Sequence, residues 1–382
     1  MLSIKRYFQK FIISFVSITL LSSCSQINGI TNKNIATPAN VAILLPSSEI
    51  DTKISAEYSK MVKMGLADGA KTQIKVTTYN YADQEQLLES LSKIFDQGTD
   101  VIIGPISSED TDIVSSKTRN NGVIVLSMSN NPVLASKGTF VCGHAPMRQL
   151  EQIMNYLLDN DYKNYIALLP SGKYSNTVSA ILQDMISNKD ASLSRIKFYN
   201  DSKEDIEKSV RVVSDAVNHL NENDFNLKQP VVLIADDNEA LQILYKDFKK
   251  YNLDKKAIIA GDSRIDIDSS FPVDITFTGS LNMANGDMIL RSVNLNVNHV
   301  SFMHAIAYDL GKITAEYIGN GYNIRKFLNR MNSGELSSGM SGEISFTDSI
   351  AKRKYAILKK EKGGYVEQSS NQVSVAPDQL HH

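Results

Sequence analysis

Val101-Ile102-Ile103-Gly104-Pro105-Ile106-Ser107-Ser108 is a short apolar run that stops at a glycine–proline pair and is followed by two hydroxyl residues. A run of β-branched residues suits a strand buried on both faces, the condition of a parallel sheet. Gly and Pro let the chain turn sharply. Ser107 or Ser108 then offers an oxygen to the free N–H groups of a following helix, with Asp110 and Thr111 in its first turn. The same grammar recurs outward. Upstream, Val41-Ala42-Ile43-Leu44-Leu45 is stopped by Pro46; in Gln84 to Gln97, Leu87, Leu88, Leu91, Ile94 and Phe95 recur at helical spacing, with Gly98 as the C-cap. Downstream, a helix to about Asn120 precedes the strand Val123-Ile124-Val125-Leu126. Strand, helix and strand in alternation predict a parallel sheet with helices on both faces.

The rhythm restarts after Cys142. Helices are predicted over Gln149 to Asp159, Ser175 to Ser187 and Asn238 to Tyr251, and strands over Tyr165 to Leu169, Ile196 to Tyr199, Val231 to Ala235 and Ala257 to Ala260. Ile206, Val210, Val213, Val217 and Leu220 form a helical stripe that belongs to a core. Two similar wound sheets in series predict an α/β protein of two doubly wound parallel-sheet lobes.

The first residues carry a different signal. Lys5, Arg6 and Lys10 precede the apolar run Phe11 to Leu21, which is too short to span a bilayer, since a spanning helix needs about 20 residues. Leu21-Ser22-Ser23-Cys24 resembles the lipobox of bacterial lipoproteins, so residues 1–24 are expected to be a cleaved signal and Cys24 a lipidated first residue. Residues 25–40 then form a polar tether, which if disordered spans about 22 Å. Cys24 and Cys142 are the only cysteines among 382 residues, so an exported chain has no disulfide framework and must fold on its hydrophobic core. With 42% hydrophobic residues it is large enough to build two such cores. A net charge of -2 argues against a nucleic-acid partner. Lys352-Arg353-Lys354 and Lys359-Lys360 read as solvated strand ends, which leaves the lipid as the contact with the membrane.

In doubly wound sheets, ligands bind beyond the carboxyl ends of the strands. In the first lobe those ends hold Ser47, then Ser107 and Ser108, then Ser127, Ser129 and Asn130. Any one serine reads first as a helix cap; three hydroxyl-rich ends on one edge point to a cleft. In the second lobe Tyr174 is placed to close over a ligand, and Asp236 or Asp262 to meet a positive group, although Asp236 also reads as a helix cap and Asp262 as a turn residue. Catalytic motifs are missing: there is no nucleophile elbow, complete phosphate loop, paired metal-binding histidines or dinucleotide fingerprint. His299 and His304 are five apart and fall on different helix faces, and His144 reads as structural or hinge-lining. No cofactor or metal is predicted, and binding is a better expectation than catalysis.

The strand series from Val41 to Pro46, Val101 to Ser108 and Val123 to Asn130 resembles the first lobe of type 1 periplasmic binding proteins of the leucine/isoleucine/valine-binding group. Gly339-Met340-Ser341-Gly342-Glu343-Ile344-Ser345-Phe346, followed by a strand over Lys354 to Lys359, is similar to that group's closing segment. The resemblance covers Asn40 to Gln368 and implies lobes joined by a three-strand hinge. Crossings are then expected near Cys142, Asn282 and Met340, giving lobe 1 from 41–142 plus 283–340, lobe 2 from 143–282 plus 341–368, and a polar tail at 369–382. Leu126-Ser127-Met128-Ser129-Asn130, with Gly143-His144-Ala145-Pro146 and Ile166-Ala167-Leu168-Leu169-Pro170, resembles the penicillin-binding protein activators, outer-membrane lipoproteins whose relatives bind and stimulate peptidoglycan synthases. That resemblance implies a non-enzymatic chain with a penicillin-binding protein as partner. Ser25, which is not the aspartate of inner-membrane retention, implies sorting to the outer membrane. The amino-acid-binding relatives imply the alternative, a receptor for an amino-acid-like ligand of an ABC importer, with Ser107 or Ser108, Ser127 and Ser129 holding the ligand backbone.

Overall fold

In the computed structural model of the chain, residues 38–47, 52–187, 189–223, 228–236, 240–265, 275–280, 301–361 and 364–368 are described. The expected signal segment with Cys24, most of the expected tether and the expected polar tail lie outside them. The tether expected to run to residue 40 ends earlier, because β1 already begins at Ala39.

The first lobe opens with β1 (Ala39–Pro46), α1 (Thr52–Gly69), β2 (Ile74–Tyr81), α2 (Gln84–Asp96), β3 (Val101–Ile103), α3 (Ser108–Thr118), β4 (Ile124–Ser127) and β5 (Thr139–Val141). The second contains α4 (Pro146–Asp159), β6 (Asn164–Pro170), α5 (Lys173–Ser187), β7 (Ser192–Tyr199), α6 (Lys203–Asn223), β8 (Val231–Ile234), α7 (Ala240–Lys250), α8 (Leu253–Lys256), β9 (Ile258–Gly261) and β10 (Ile275–Gly279). The chain then returns through α9 (Phe302–Ile318), α10 (Ile324–Met331), β11 (Ser337–Gly339), β12 (Gly342–Thr347) and β13 (Ile350–Lys354), and ends in β14 (Ala356–Glu361) and β15 (Gly364–Glu367).

Two sheets result, one of eight strands in the order β11-β12-β13-β5-β4-β3-β1-β2 and one of seven in the order β15-β14-β10-β9-β8-β6-β7. β1 to β5 run parallel, as do β6 to β10. Antiparallel strands extend one edge of each. Both faces of the sheets are covered, and β1 shows why its sequence is wholly apolar. Val41, Ile43 and Leu45 enter a core with Met61 and Val62 of α1 and Ala305 and Ile306 of α9, whereas Ala42 and Leu44 enter a core with Leu87, Leu91 and Ile94 of α2. β6 does the same in the second lobe, with Ile166 and Leu168 on one side and Tyr165, Ala167 and Leu169 on the other. Such alternation between two cores is the physical signature of a doubly wound sheet.

The lobes interleave in sequence. One crossing follows β5 at Cys142, where the Cys142 N–H donates to Ser127 O at 2.8 Å and the Gly143 N–H to Ser129 O at 2.9 Å. The expected crossing near Asn282 lies outside the described residues, between β10 in the second sheet and α9 in the first lobe. The crossing expected near Met340 falls instead at Tyr355. Residues 337–354 form an antiparallel extension of the first sheet, and β13 joins β5 in parallel through Ile350 and Val141. The strand expected from Lys354 to Lys359 is therefore two strands in two sheets. Lobe 1 keeps the residues up to Lys354, and β14 and β15 belong to lobe 2.

Candidate functional site

The cis Gly104-Pro105 turn ends β3. Gly104 has φ +106°, and a Cβ there would lie 2.1 Å from the Leu44 carbonyl oxygen, so only glycine fits between the two strand ends. The turn aims Ser107 at the start of α3. Its Oγ accepts from the Asp110 N–H at 3.0 Å and donates to the Asp110 carboxylate at 2.7 Å, and the Tyr81 hydroxyl donates to the same oxygen at 2.8 Å. The next residue, Ser108, has its Oγ 2.9 Å from Ser129 Oγ.

Deeper in, Ser127 is fully buried, with its Oγ 2.7 Å from Thr111 Oγ1 and accepting the Ser129 N–H at 3.0 Å. Ser129 Oγ also accepts the Asn131 N–H at 3.2 Å. These bonds tie Ser107, Ser108, Ser127 and Ser129 to one another, to α3 and to the chain after β4. Asn130 is exposed. The Ser47 backbone N–H donates to Tyr81 O at 2.7 Å and its carbonyl accepts from Thr52 Oγ1 at 3.2 Å.

In the second lobe Asp262, at the end of β9, is fully buried against Arg264. Its Oδ1 accepts from the Arg264 backbone N–H and Nε, both at 2.9 Å, and its Oδ2 from Nη2 at 2.7 Å. The same guanidinium stacks 4.8 Å over the Tyr174 ring and donates to its hydroxyl. Asp236, at the end of β8, accepts from the Tyr199 hydroxyl, whose pKa is driven far up, first by burial and then by that carboxylate. Tyr174 and Asp262 thus meet on Arg264, and both acids already have donors.

A polar network at the hinge was not legible in the sequence. Asp309 on α9 is fully buried; its carboxylate accepts the Ser341 N–H at 2.8 Å, the Ser341 hydroxyl at 2.5 Å and the Met340 N–H. Burial raises the Asp309 pKa, opposed by these hydrogen bonds. Arg353 donates to Ser341 Oγ at 2.9 Å, to Gly143 O at 3.1 Å and to Cys142 O at 2.6 Å. Arg353 is therefore no solvated strand end but the clamp on the first crossing. Lys360, in the other basic pair, is also buried, with its ammonium 5.7 Å from the Tyr365 ring centroid. The available signal was a single acid inside the apolar stretch of α9, since a buried carboxylate demands donors. Cys142 beside this clamp is a free thiol with no exposure, its pKa pushed up to about 12 by burial, and is chemically inert.

His304 caps its own helix: its Nδ1 accepts from the Ser301 N–H at 3.1 Å, while its Nε2 lies 3.2 Å from Glu57. His299 lies outside the described residues. Among the described residues there is no cluster of side chains suited to a metal, and no helix is long and apolar enough to cross a membrane.

Comparison with solved structures places the fold. A solute-binding protein of an ABC transporter from Rhodopseudomonas palustris BisB5, solved with 3,4-dihydroxybenzoic acid, matches 87% of the chain and 96% of its own length with a TM-score of 0.66 at 13% identity. The C-domain of LpoA from Haemophilus influenzae, a regulator of PBP1A, matches 87% of the chain and 100% of its own length with a TM-score of 0.59 at 15% identity. The chain spans 60% of full-length LpoA. No family model matches the chain. Among curated proteins, "Uncharacterized protein RP748" of Rickettsia prowazekii (strain Madrid E) is 43% identical over 356 residues, 92% of this chain and 95% of that protein. The chain has the two-lobed type 1 periplasmic binding protein fold and belongs to the family of this Rickettsia protein.

Proposed function

We propose that the chain is a non-enzymatic, lipid-anchored envelope protein that acts by contact with a peptidoglycan synthase of the penicillin-binding class. The observation that carries this reading is that Ser107, Ser108, Ser127 and Ser129 are engaged by Asp110, by Thr111 and by one another within the lobe. An amino-acid ligand needs donors for its carboxylate and an acceptor for its ammonium. Here Ser107 donates to Asp110, Thr111 to the Ser107 carbonyl and one of Ser108 and Ser129 to the other, so the lobe itself takes up most of these donors, and Asp236 and Asp262 already accept from Tyr199 and Arg264. Breaking such bonds to admit a ligand sets their cost against the affinity gained. Support also comes from the likeness to the LpoA C-domain over its whole length. The lipobox ending at Cys24 supports anchoring, and Ser25 supports the inner leaflet of the outer membrane as the site.

The alternative is a solute receptor for an amino-acid-like ligand of an ABC importer, which the likeness to the Rhodopseudomonas protein favours. One experiment addresses anchor and partner together. Tagged wild type and Cys24→Ala are expressed in cells, envelopes are separated and bound proteins are identified. Wild type is expected in the membrane fraction with a penicillin-binding protein retained on it, and the variant is expected to leave that fraction or to stay uncleaved. Equal membrane partition of both removes the anchor; an importer permease in place of the synthase moves the assignment to transport.

A further inference from the structure

We propose that His144 is a proton-operated latch between the two lobes. It stands in the first crossing, and its side chain meets both halves of the molecule. On the lobe 1 side its ring lies edge-on to Phe302 at the start of α9, with centroids 5.2 Å apart. On the lobe 2 side its Nε2 lies 2.9 Å from Gln149 Oε1 and 3.1 Å from Ser263 Oγ. The proton on this ring can be assigned from the bonds. The Ser263 N–H, which can only donate, points at Gln149 Oε1 at 2.9 Å, so that atom is the amide oxygen. An amide oxygen cannot donate, so Nε2 carries the hydrogen and the neutral ring already makes the bond that joins the crossing to lobe 2.

A second proton would be poorly received. The charges acting on the ring are Arg264 from the loop after β9, Arg353 from β13 and Asp262. Two are cations, and the one carboxylate is engaged by Arg264 through both of its oxygens. Tyr355, tilted against Phe302 with centroids 5.8 Å apart, supplies an aromatic wall rather than an anion. Burial, the largest influence, lowers the His144 pKa; Asp262 and the hydrogen bond to Gln149 oppose it, and the two guanidiniums add to it. Because the latched pKa is depressed, the latch is fully present above the ordinary histidine range and is lost as the pH falls towards the latched value. A charged ring regains its solvation only by leaving the Phe302–Ser263 contact, which frees lobe 2 to swing. Opening linked to one proton rises by up to about tenfold per pH unit between the released and latched pKa values.

The test is hydrogen exchange of the crossing and of the loop after β9, with small-angle scattering, from pH 7.5 to 5 on wild type and His144→Gln. Glutamine keeps a donor where Nε2 stood and cannot take a proton. Exchange is corrected for its intrinsic pH dependence with an unstructured peptide. Wild type is expected to exchange faster and to expand as the pH falls, and the variant to stay closed across the range. An equal response in both proteins, or no response in wild type, overturns the proposal. As a check that needs no variant, the His144 ring resonances of wild type are followed by NMR. They are expected to titrate in step with the expansion, and a ring that stays neutral while the lobes open overturns the latch as well.

Discussion

Gly311→Val is expected to destabilise the chain by about 3 kcal/mol, the upper end of overpacking costs. α1 and α9 pack at backbone contact. A Cβ on Gly311 would lie 2.1 Å from Val62 O and 2.9 Å from Leu66 N, and one on Gly65 would lie 2.0 Å from Tyr308 O. Since the obstacles are backbone atoms of the facing helix, no rotamer relieves the clash and the helices must separate. That separation also loosens the Ala305, Ile306, Met61 and Val62 packing beneath β1. Gly65→Val acts on the same contact, so the double variant should lose less than the sum of the single losses. Urea unfolding followed by circular dichroism measures each. A loss under about 1 kcal/mol for Gly311→Val would show that the helices do not meet there.

Asp309→Ala is expected to have an effect of similar size for a different reason. It leaves the Ser341 N–H, the Met340 N–H and the Ser341 hydroxyl without their acceptor, and each buried unsatisfied donor costs about 1–3 kcal/mol. Ser341 in turn positions Arg353, which holds the Cys142 and Gly143 carbonyls. The expected result is a loss of about 3 kcal/mol or more in urea unfolding, together with faster proteolysis near residues 142–145 under native conditions. An Asp309→Ala protein with unchanged stability and an unchanged digestion pattern would mean that the clamp does not depend on this carboxylate.

Where the sequence was legible, burial was simple. β1, β3, β4, β6 and β8 lie between two layers of helices, so both of their faces are apolar and the runs stand out. α1 and β2 did not stand out. The buried face of α1 is built from Ser55, Tyr58, Ser59, Gly65 and Gly69 as much as from Met61, Val62 and Leu66, because close helix packing requires small residues. β2, an edge strand, is largely half-buried and carries Thr77, Thr78 and Asn80. The crossing at Tyr355 was hidden because Lys354 to Lys359 reads in sequence as one strand, and only long-range pairing divides it between sheets. At the candidate site the serines were readable from their place after the strands. That they bond to one another was not, since it depends on Ser108 and Ser129 being brought within 2.9 Å across 21 positions of sequence.

The measurement that tests the proposed function most directly is calorimetry on the purified mature protein, titrated with a penicillin-binding protein from the same bacterium and with pooled amino acids. Wild type and the Ser107→Ala/Ser129→Ala double variant are compared. The account predicts saturable binding of the synthase, equal in both proteins, and no heat from amino acids. Heat from amino acids that disappears in the double variant, with no synthase binding by either protein, would contradict it. Losing a buried hydrogen bond to a charged ligand costs about 1.5–3 kcal/mol, roughly ten- to over a hundredfold in affinity, so that outcome would be unmistakable.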